Sequence, residues 1–260
     1  MSSEPVIRVE KATQHFGARI IFRDVSFTVH AGEVFVILGS SGCGKSTLMK
    51  QLIGLLRPSA GRIEIFGRDI TGPNGEMELR DVQRRIGVMF QSGALFGSMS
   101  LLENVMLPLE MFTNLPPEGR AAVARVKLAL VDLQDAATLM PAEISGGMAR
   151  RAGIARAMAL DPPLLLLDEP SAGLDPITSA GLDRLILDLR RDLGATFVVV
   201  THELASILAI ADRCIMLDRD AYPDAGGAIA AGDPHVLRES STHPLVRAFF
   251  HREIPVAATV

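Results

Sequence analysis

Apolar residues recur with two different periods along the chain, and the points where the period changes mark the elements. Val6–Glu10 and Ile20–Val29 alternate β-branched or aromatic residues with polar ones, the period of a half-buried strand, and Ala31-Gly32 marks a turn. Val34–Leu38 is apolar without interruption, as in a strand covered on both faces. A glycine-rich loop follows, then a helical stretch to about Leu56 that Arg57-Pro58-Ser59-Ala60-Gly61 breaks. Arg62–Phe66 and Ile86–Phe90 return to the strand pattern. From about Leu101 to Leu160, Leu, Ala and Met stand at helical spacing, punctuated by Pro108, Pro116, Pro117 and Pro141, which predicts a helical insertion. Strand runs resume at Leu164–Leu167, Thr196–Val200 and Arg213–Leu217, with helical stretches near 177–193 and 203–211 between them. Short helices are expected over about 233–251. Strands that alternate with helices predict right-handed βαβ units and a parallel sheet, an α/β fold.

Composition narrows this picture. Of 260 residues, 48% are apolar and 22% charged, which is globular and argues against disorder. The charge sum is 26 − 30 = −4, without the basic excess of a nucleic-acid surface, so no nucleic-acid partner is expected. Mean hydropathy is high at +0.28, yet no apolar run reaches the roughly 18 residues of a membrane helix. The start, Met1-Ser2-Ser3-Glu4-Pro5, lacks the basic and then apolar regions of a secretory signal, so the expected compartment is the cytosol. The excess apolarity fits a partner-facing surface and a large core equally. Cys43 and Cys214 are too few for a disulfide framework. The apolar tail Ile254–Val260 carries no readable role.

Gly39-Ser40-Ser41-Gly42-Cys43-Gly44-Lys45-Ser46-Thr47 follows an apolar strand and opens a helix. In that context the glycines let successive N–H groups curl toward phosphate oxygens, and the helix aims its positive end at the same anion. Lys45 can reach the β- and γ-phosphates and Ser46 can ligate Mg²⁺. Cys43 has no histidine base near it in sequence and reads as a small loop residue, not a nucleophile. Asp168 and Glu169 end the buried run Leu164–Leu167. Carboxyl ends of parallel strands are where ligands bind, so Asp168 is expected beside the phosphate loop to hold Mg²⁺, and Glu169 to polarise an attacking water. Ser145-Gly146-Gly147 predicts a capped helix with uncovered backbone donors, a second anion site. One γ-phosphate in one chain seldom requires two such sites, whereas two copies related by a twofold axis use both.

With these motifs in this order, the sequence resembles the ATP-binding cassette (ABC) ATPases over about residues 5–240. The resemblance implies a P-loop NTPase with a RecA-like core, an antiparallel β subdomain and a helical subdomain at about 98–160, followed by a C-terminal extension at 241–260. It implies ATP and Mg²⁺ as cofactors. It places Phe16 where an aromatic stacks on adenine, a position where Tyr is commoner. Gln91 matches the Q-loop glutamine that senses metal and water, Ser171–Asp175 the D-loop, and His202 the switch histidine at the γ-phosphate. The signature departs from the family's Leu-Ser-Gly-Gly-Gln: it reads Ile144-Ser145-Gly146-Gly147-Met148, which removes a polar side chain but keeps the Ser and Gly donors.

Met148-Ala149-Arg150-Arg151 after those glycines, Leu139-Met140-Pro141 before them, Phe90–Phe96, and Asp175-Pro176-Ile177-Thr178 resemble the ATPases of the Mla (maintenance of lipid asymmetry) and MCE-type lipid transporters. This implies a homodimer of ATPase subunits on the cytoplasmic face of a bacterial inner membrane, working with an integral membrane permease and an MCE protein. Relatives also carry a small STAS-domain protein. A groove within Ser92–Met111 is expected to accept a permease helix, with some of Phe96, Met99 and Leu101 facing it. A C-terminal tail reaching the second subunit is a further expectation. Two other readings stand beside this one: the ATPase of an importer for amino acids or another polar solute, and a soluble cassette ATPase acting on ribosomes or DNA.

Overall fold

The computed structural model describes residues 5–253; the tail Ile254–Val260 lies outside them. Two antiparallel strands, β1 (Pro5–Phe16) and β2 (Arg19–His30), form a hairpin. The buried strand β3 (Val34–Gly39) leads through the glycine-rich loop into α1 (Lys45–Leu52). Strands β4 (Ala60–Ile65) and β5 (Arg68–Asp69) extend the hairpin sheet, and α2 (Gly75–Gln83) precedes β6 (Ile86–Met89). Helices α3 (Leu101–Phe112), α4 (Pro117–Ala129) and α5 (Gly146–Ala157) form the expected helical insertion. The chain then runs β7 (Leu164–Asp168), α6 (Pro176–Leu193), β8 (Thr196–Val200), α7 (Leu204–Ile210), β9 (Arg213–Tyr222) and β10 (Ala225–Gly232). It closes with α8 (Pro234–Ser240) and α9 (Pro244–His251).

The strand order among the described residues is β5-β4-β1-β2-β10-β9-β3-β8-β7-β6. The half from β9 to β6 is parallel, with β3 paired to both β8 and β9 and β7 paired to β8 and β6. The half from β5 to β2 is antiparallel. Phe35 and Ile37 of β3 point into one core with Phe22, Leu48 and Leu52; Val34, Val36 and Leu38 point into a second core with the helical insertion. β3 is thus apolar at every position because both its faces are covered.

Several elements depart from the pattern-based expectation. The first helix stops at Leu52, since Gly54 is already in left-handed backbone. α2 was not anticipated, because Gly75–Gln83 buries only Gly75 and Val82 and so shows little apolar periodicity. β9 runs five residues past Leu217, to Tyr222. β10, Ala225-Gly226-Gly227-Ala228-Ile229-Ala230-Ala231-Gly232, carries no strand propensity; its small residues let it lie between β9 and β2. α9 buries Val246 and Phe250 in the same core as Ile207 and Ile210 of α7, so residues 244–251 pack on the body of the molecule.

Candidate functional site

The site begins with the loop between β3 and α1. Gly39 has φ of +147°, and a Cβ there would stand 2.0 Å from the Leu217 carbonyl oxygen, so only glycine lets the loop leave the sheet at this point. Lys45 Nζ donates to the Gly39 and Ser40 carbonyls at 2.9 and 3.1 Å, folding its chain back over the loop. The Ser40 hydroxyl bonds the Asp218 carboxylate at 3.2 Å. Cys43 is fully buried beneath the loop and burial pushes its thiol pKa up, as expected for a structural residue; burial drives Cys214 up to about 12. Gln51 Nε2 donates to Gln14 Oε1 at 2.8 Å, tying α1 to the β1–β2 hairpin.

Asp168 and Glu169 stand at the end of β7, beside β3's neighbour β8. Glu169 sits in left-handed backbone at φ +49°, held by its own N–H on the Val200 carbonyl at 2.8 Å. Such a conformation costs about 1–3 kcal/mol in a non-glycine residue. Glu169 Oε1 and His202 Nδ1 lie 2.9 Å apart, joining the ends of β7 and β8. Burial first, and then the charge of Glu169, pushes the Asp168 carboxyl above its ordinary range, while Lys45 pulls it down. Asp168 Oδ1 and Glu169 Oε2 are buried and have no hydrogen-bond partner among the described residues. Two orphaned acidic oxygens side by side require either a cation or a proton donor. Among the described residues no group of three His, Cys, Asp or Glu could hold a metal alone. A divalent ion here would therefore share its ligands with a phosphate, the habit of Mg²⁺, and the residues fit it.

Gly39, Ser40, Ser41, Gly42, Gly44, Lys45, Ser46, Thr47, Gln91, Asp168, Glu169 and His202 line one cavity of about 690 Å³. Arg19, Ile21 and Phe249 line it too, and no motif pointed to them. Arg19 and Ile21 follow the hairpin turn, while Phe249 arrives on the last helix, far away in sequence. The structure does not bring every anticipated residue to this cavity. Phe16 lies at the end of β1, half exposed, and is not itself among the lining residues, though its strand partner Arg19 is.

Ser145 caps α5 by accepting from the Met148 N–H at 3.2 Å. It and Gly146 and Gly147 do not line the cavity either. Asp175 caps α6 through the Ile177 and Thr178 amides, both at 3.0 Å, and the Thr178 hydroxyl is the main reason its carboxyl lies below the usual range. Arg150 of α5 donates to the Ala172 carbonyl at 3.0 Å, tying α5 to the turn that precedes α6.

A second, apolar groove of about 370 Å³ is lined by Phe90, Ala94, Phe96, Leu107, Pro108, Met111, Phe112 and Arg156. Phe96, Met111 and Phe112 are exposed. Of the three candidates Phe96 lines this groove and Met99 does not, while Leu101 faces the other way, fully buried in the core with Val105 and Leu109.

The geometry agrees with the relatives. The ATP-binding cassette MJ0796, solved as a dimer in a post-hydrolysis state bound to ADP and Pi, superposes with a TM-score of 0.76 at 29% identity, over 87% of this chain and 98% of that one. The cbiO1 protein from Clostridium perfringens, part of the cbiONQ transporter complex, superposes with a TM-score of 0.78 at 27% identity, over 97% and 100%. The intermembrane phospholipid transport system ATP-binding protein MlaF of Escherichia coli K12 is 43% identical over 223 residues, 85% of this chain and 82% of its own length. The probable ribonucleotide transport ATP-binding protein mkl of Mycobacterium tuberculosis H37Rv is 42% identical over 245 residues, 94% of this chain; the chain spans 66% of that relative's length. The family described as ABC transporter matches residues 22–172. That stretch takes in the loop at Lys45, the Gln91 turn, the Ser145 cap and the Asp168–Glu169 strand end, and the chain belongs to the ABC transporter family.

Proposed function

We propose that the chain is the ATP-hydrolysing subunit of a membrane phospholipid transporter and works as a homodimer. The observation that carries the hydrolytic part is the pair of orphaned buried oxygens, Asp168 Oδ1 and Glu169 Oε2, at the strand end bordering the phosphate-loop cavity. The loop amides from Gly39 to Thr47 and Lys45 bind the triphosphate, and the α1 N-terminus adds its dipole. Ser46, Gln91 and Asp168 would hold Mg²⁺, which when bound neutralises phosphate charge. Glu169 orients a water and accepts its hydrogen bond. Glu169 takes the water's proton as the water oxygen bonds the γ-phosphorus and the bond to the ADP oxygen breaks, giving ADP and inorganic phosphate. His202, in contact with Glu169, holds that carboxylate and the γ-phosphate edge. The shell is completed by Ser145 and Gly147 of the partner subunit, which explains why their own cavity does not include them. Phe16 takes the adenine, and Asp175 sets the partner-facing edge.

No helix of the described residues is long and apolar enough to cross a membrane. The exposed Phe90, Phe96, Met111 and Phe112 groove suits an amphipathic helix. We assign it to a permease at the cytoplasmic face of the inner membrane, with an MCE protein and a small STAS-domain protein as further members of the complex. Support for phospholipid as cargo is the identity to MlaF and the Met148 signature. The mycobacterial relative's name favours a second cargo, a ribonucleotide.

The test uses Glu169→Gln. Removing a general base costs typically about 10²–10⁴-fold in rate, so turnover should collapse while ATP binding persists; substantial residual hydrolysis would assign the base elsewhere. The same variant, pulled from native membranes in mild detergent, should bring a multi-span permease, an MCE protein and phospholipid identified by mass spectrometry. Nucleotide cargo in place of lipid would favour the second reading, and a purely soluble partner would sink the transporter role.

A further inference from the structure

We propose that Arg156 is a positioning residue that makes the Gln91 turn and the Ser145 helix move as one piece; this rests on the ATPase reading above. Arg156 lies at the far end of α5 from its Ser145 cap, about 16 Å away by helix rise. From there Nη2 donates to the Gly93 carbonyl and Nη1 to the Ala94 carbonyl, both at 2.9 Å. Two arms of a rigid fork on successive carbonyls fix distance and orientation together, which a single ammonium does not.

The loop is shaped to present those carbonyls. Gly93 and Ala94 both take left-handed backbone, at φ +77° and +46°. The loop and helix backbones also touch. A Cβ on Gly93 would stand 2.5 Å from the Ala149 carbonyl oxygen, and a Cβ on Gly153 would stand 2.9 Å from Gly93 Cα. Residues 91–94 therefore cannot slide along α5 without breaking the fork. Among the described residues Arg156 has no carboxylate partner, and burial disfavours its charge. A half-buried guanidinium committed to two carbonyls is an expensive arrangement for packing alone.

The same guanidinium lies 5.8 Å from the Phe96 ring centroid and lines the apolar groove. Gln91, two residues before Gly93, lines the nucleotide cavity. One side chain thus meets the groove, the turn that enters the nucleotide site, and the helix whose cap serves the second subunit. Whatever fills the groove presses on the joint that sets Gln91 and Ser145 relative to each other.

The test is a double-mutant cycle on the purified chain, because such a cycle detects coupling that a purely structural role lacks. Arg156→Lys keeps the charge and loses the fork. It should lower kcat about tenfold while the ATP KM stays within about twofold, with a melting temperature within a few degrees of the parent. In a Gln91→Ala background the same change should cost less than about twofold. An equal loss with and without Gln91, or no loss at all, would overturn the proposal. If Arg156→Lys does not fold, Arg156→Gln enters the same cycle; failure of both to fold assigns Arg156 a structural role and likewise overturns it. A parent chain that does not hydrolyse ATP sinks the ATPase reading, whereas a parent that does, with Arg156→Lys behaving identically, sinks this inference alone.

Discussion

Asp183 shows how one buried carboxyl outside the nucleotide site shapes the protein's response to pH. It stands on α6, 8% exposed, and accepts the Ser206 hydroxyl of α7 at 2.8 Å. Burial pushes its carboxyl up, and the single hydroxyl only partly opposes this. With a folded pKa above the unfolded one, the native state binds the extra proton. Its stabilising contribution is therefore fully present below the ordinary carboxylate range and is lost as pH rises through the raised folded value. Asp183→Asn should flatten that part of the stability profile, leaving the melting temperature less dependent on pH as pH rises above the ordinary carboxylate range. Thermal melts across that range check it; an unchanged slope would place the titration elsewhere. The same logic explains Asp168. Burial and Glu169 raise it, so a divalent cation that pairs with it reverses the sign.

Among the elements, α5 is the one whose parts serve different ends. Its N-terminus is capped by Ser145, its middle holds the Ala172 turn through Arg150, and its last turn holds the Gln91 segment through Arg156. Ser145→Ala removes one cap bond, about 1 kcal/mol, and should lower the melting temperature by about 2–4 °C in a chain of this size. If Ser145 serves the partner's nucleotide, ATP hydrolysis should fall far more than that loss of stability explains. Melting and ATPase rates measured on one preparation check both parts, and a rate that follows stability alone would confine Ser145 to capping. Elements were unequally legible. β3, β7 and β8 are nearly continuous runs of buried Val, Leu, Ile and Phe, so their period is plain. β10 has only Ala, Gly and one Ile, and forms because β9 and β2 leave a strand-wide gap that small residues fit.

Over the whole molecule, the phosphate loop lines a cavity whose lining does not include the Ser145 cap, and in the homodimer proposed above a second copy supplies that cap. ATPase rate per chain should then rise with protein concentration in the dilute range and reach a plateau, and Glu169→Gln with MgATP should sediment as a dimer. A rate per chain that is constant on dilution would mean that one copy suffices. The groove at Phe96 and Met111 lies on the helical insertion, apart from the nucleotide cavity. A partner seated there would touch Arg156, which is bonded to the segment that follows Gln91.

The order of motifs and the strand periods were determined by the sequence alone. Gly39-Ser40-Ser41-Gly42-Cys43-Gly44-Lys45 reads as a phosphate loop once an apolar strand precedes it and a helix follows, and both are local patterns. Twelve of the anticipated site residues indeed share one cavity. What local pattern cannot carry is contact between distant segments. Phe249 reaches the cavity because α9 buries Val246 and Phe250 in the core that also holds Ile207 and Ile210. Leu101 turns to the core because Val105 and Leu109 share its helical face. The Arg156 fork exists because glycines at 93 and 153 let two backbones meet. These depend on packing across the whole chain, where the energy of each contact is set by neighbours that the sequence does not place side by side.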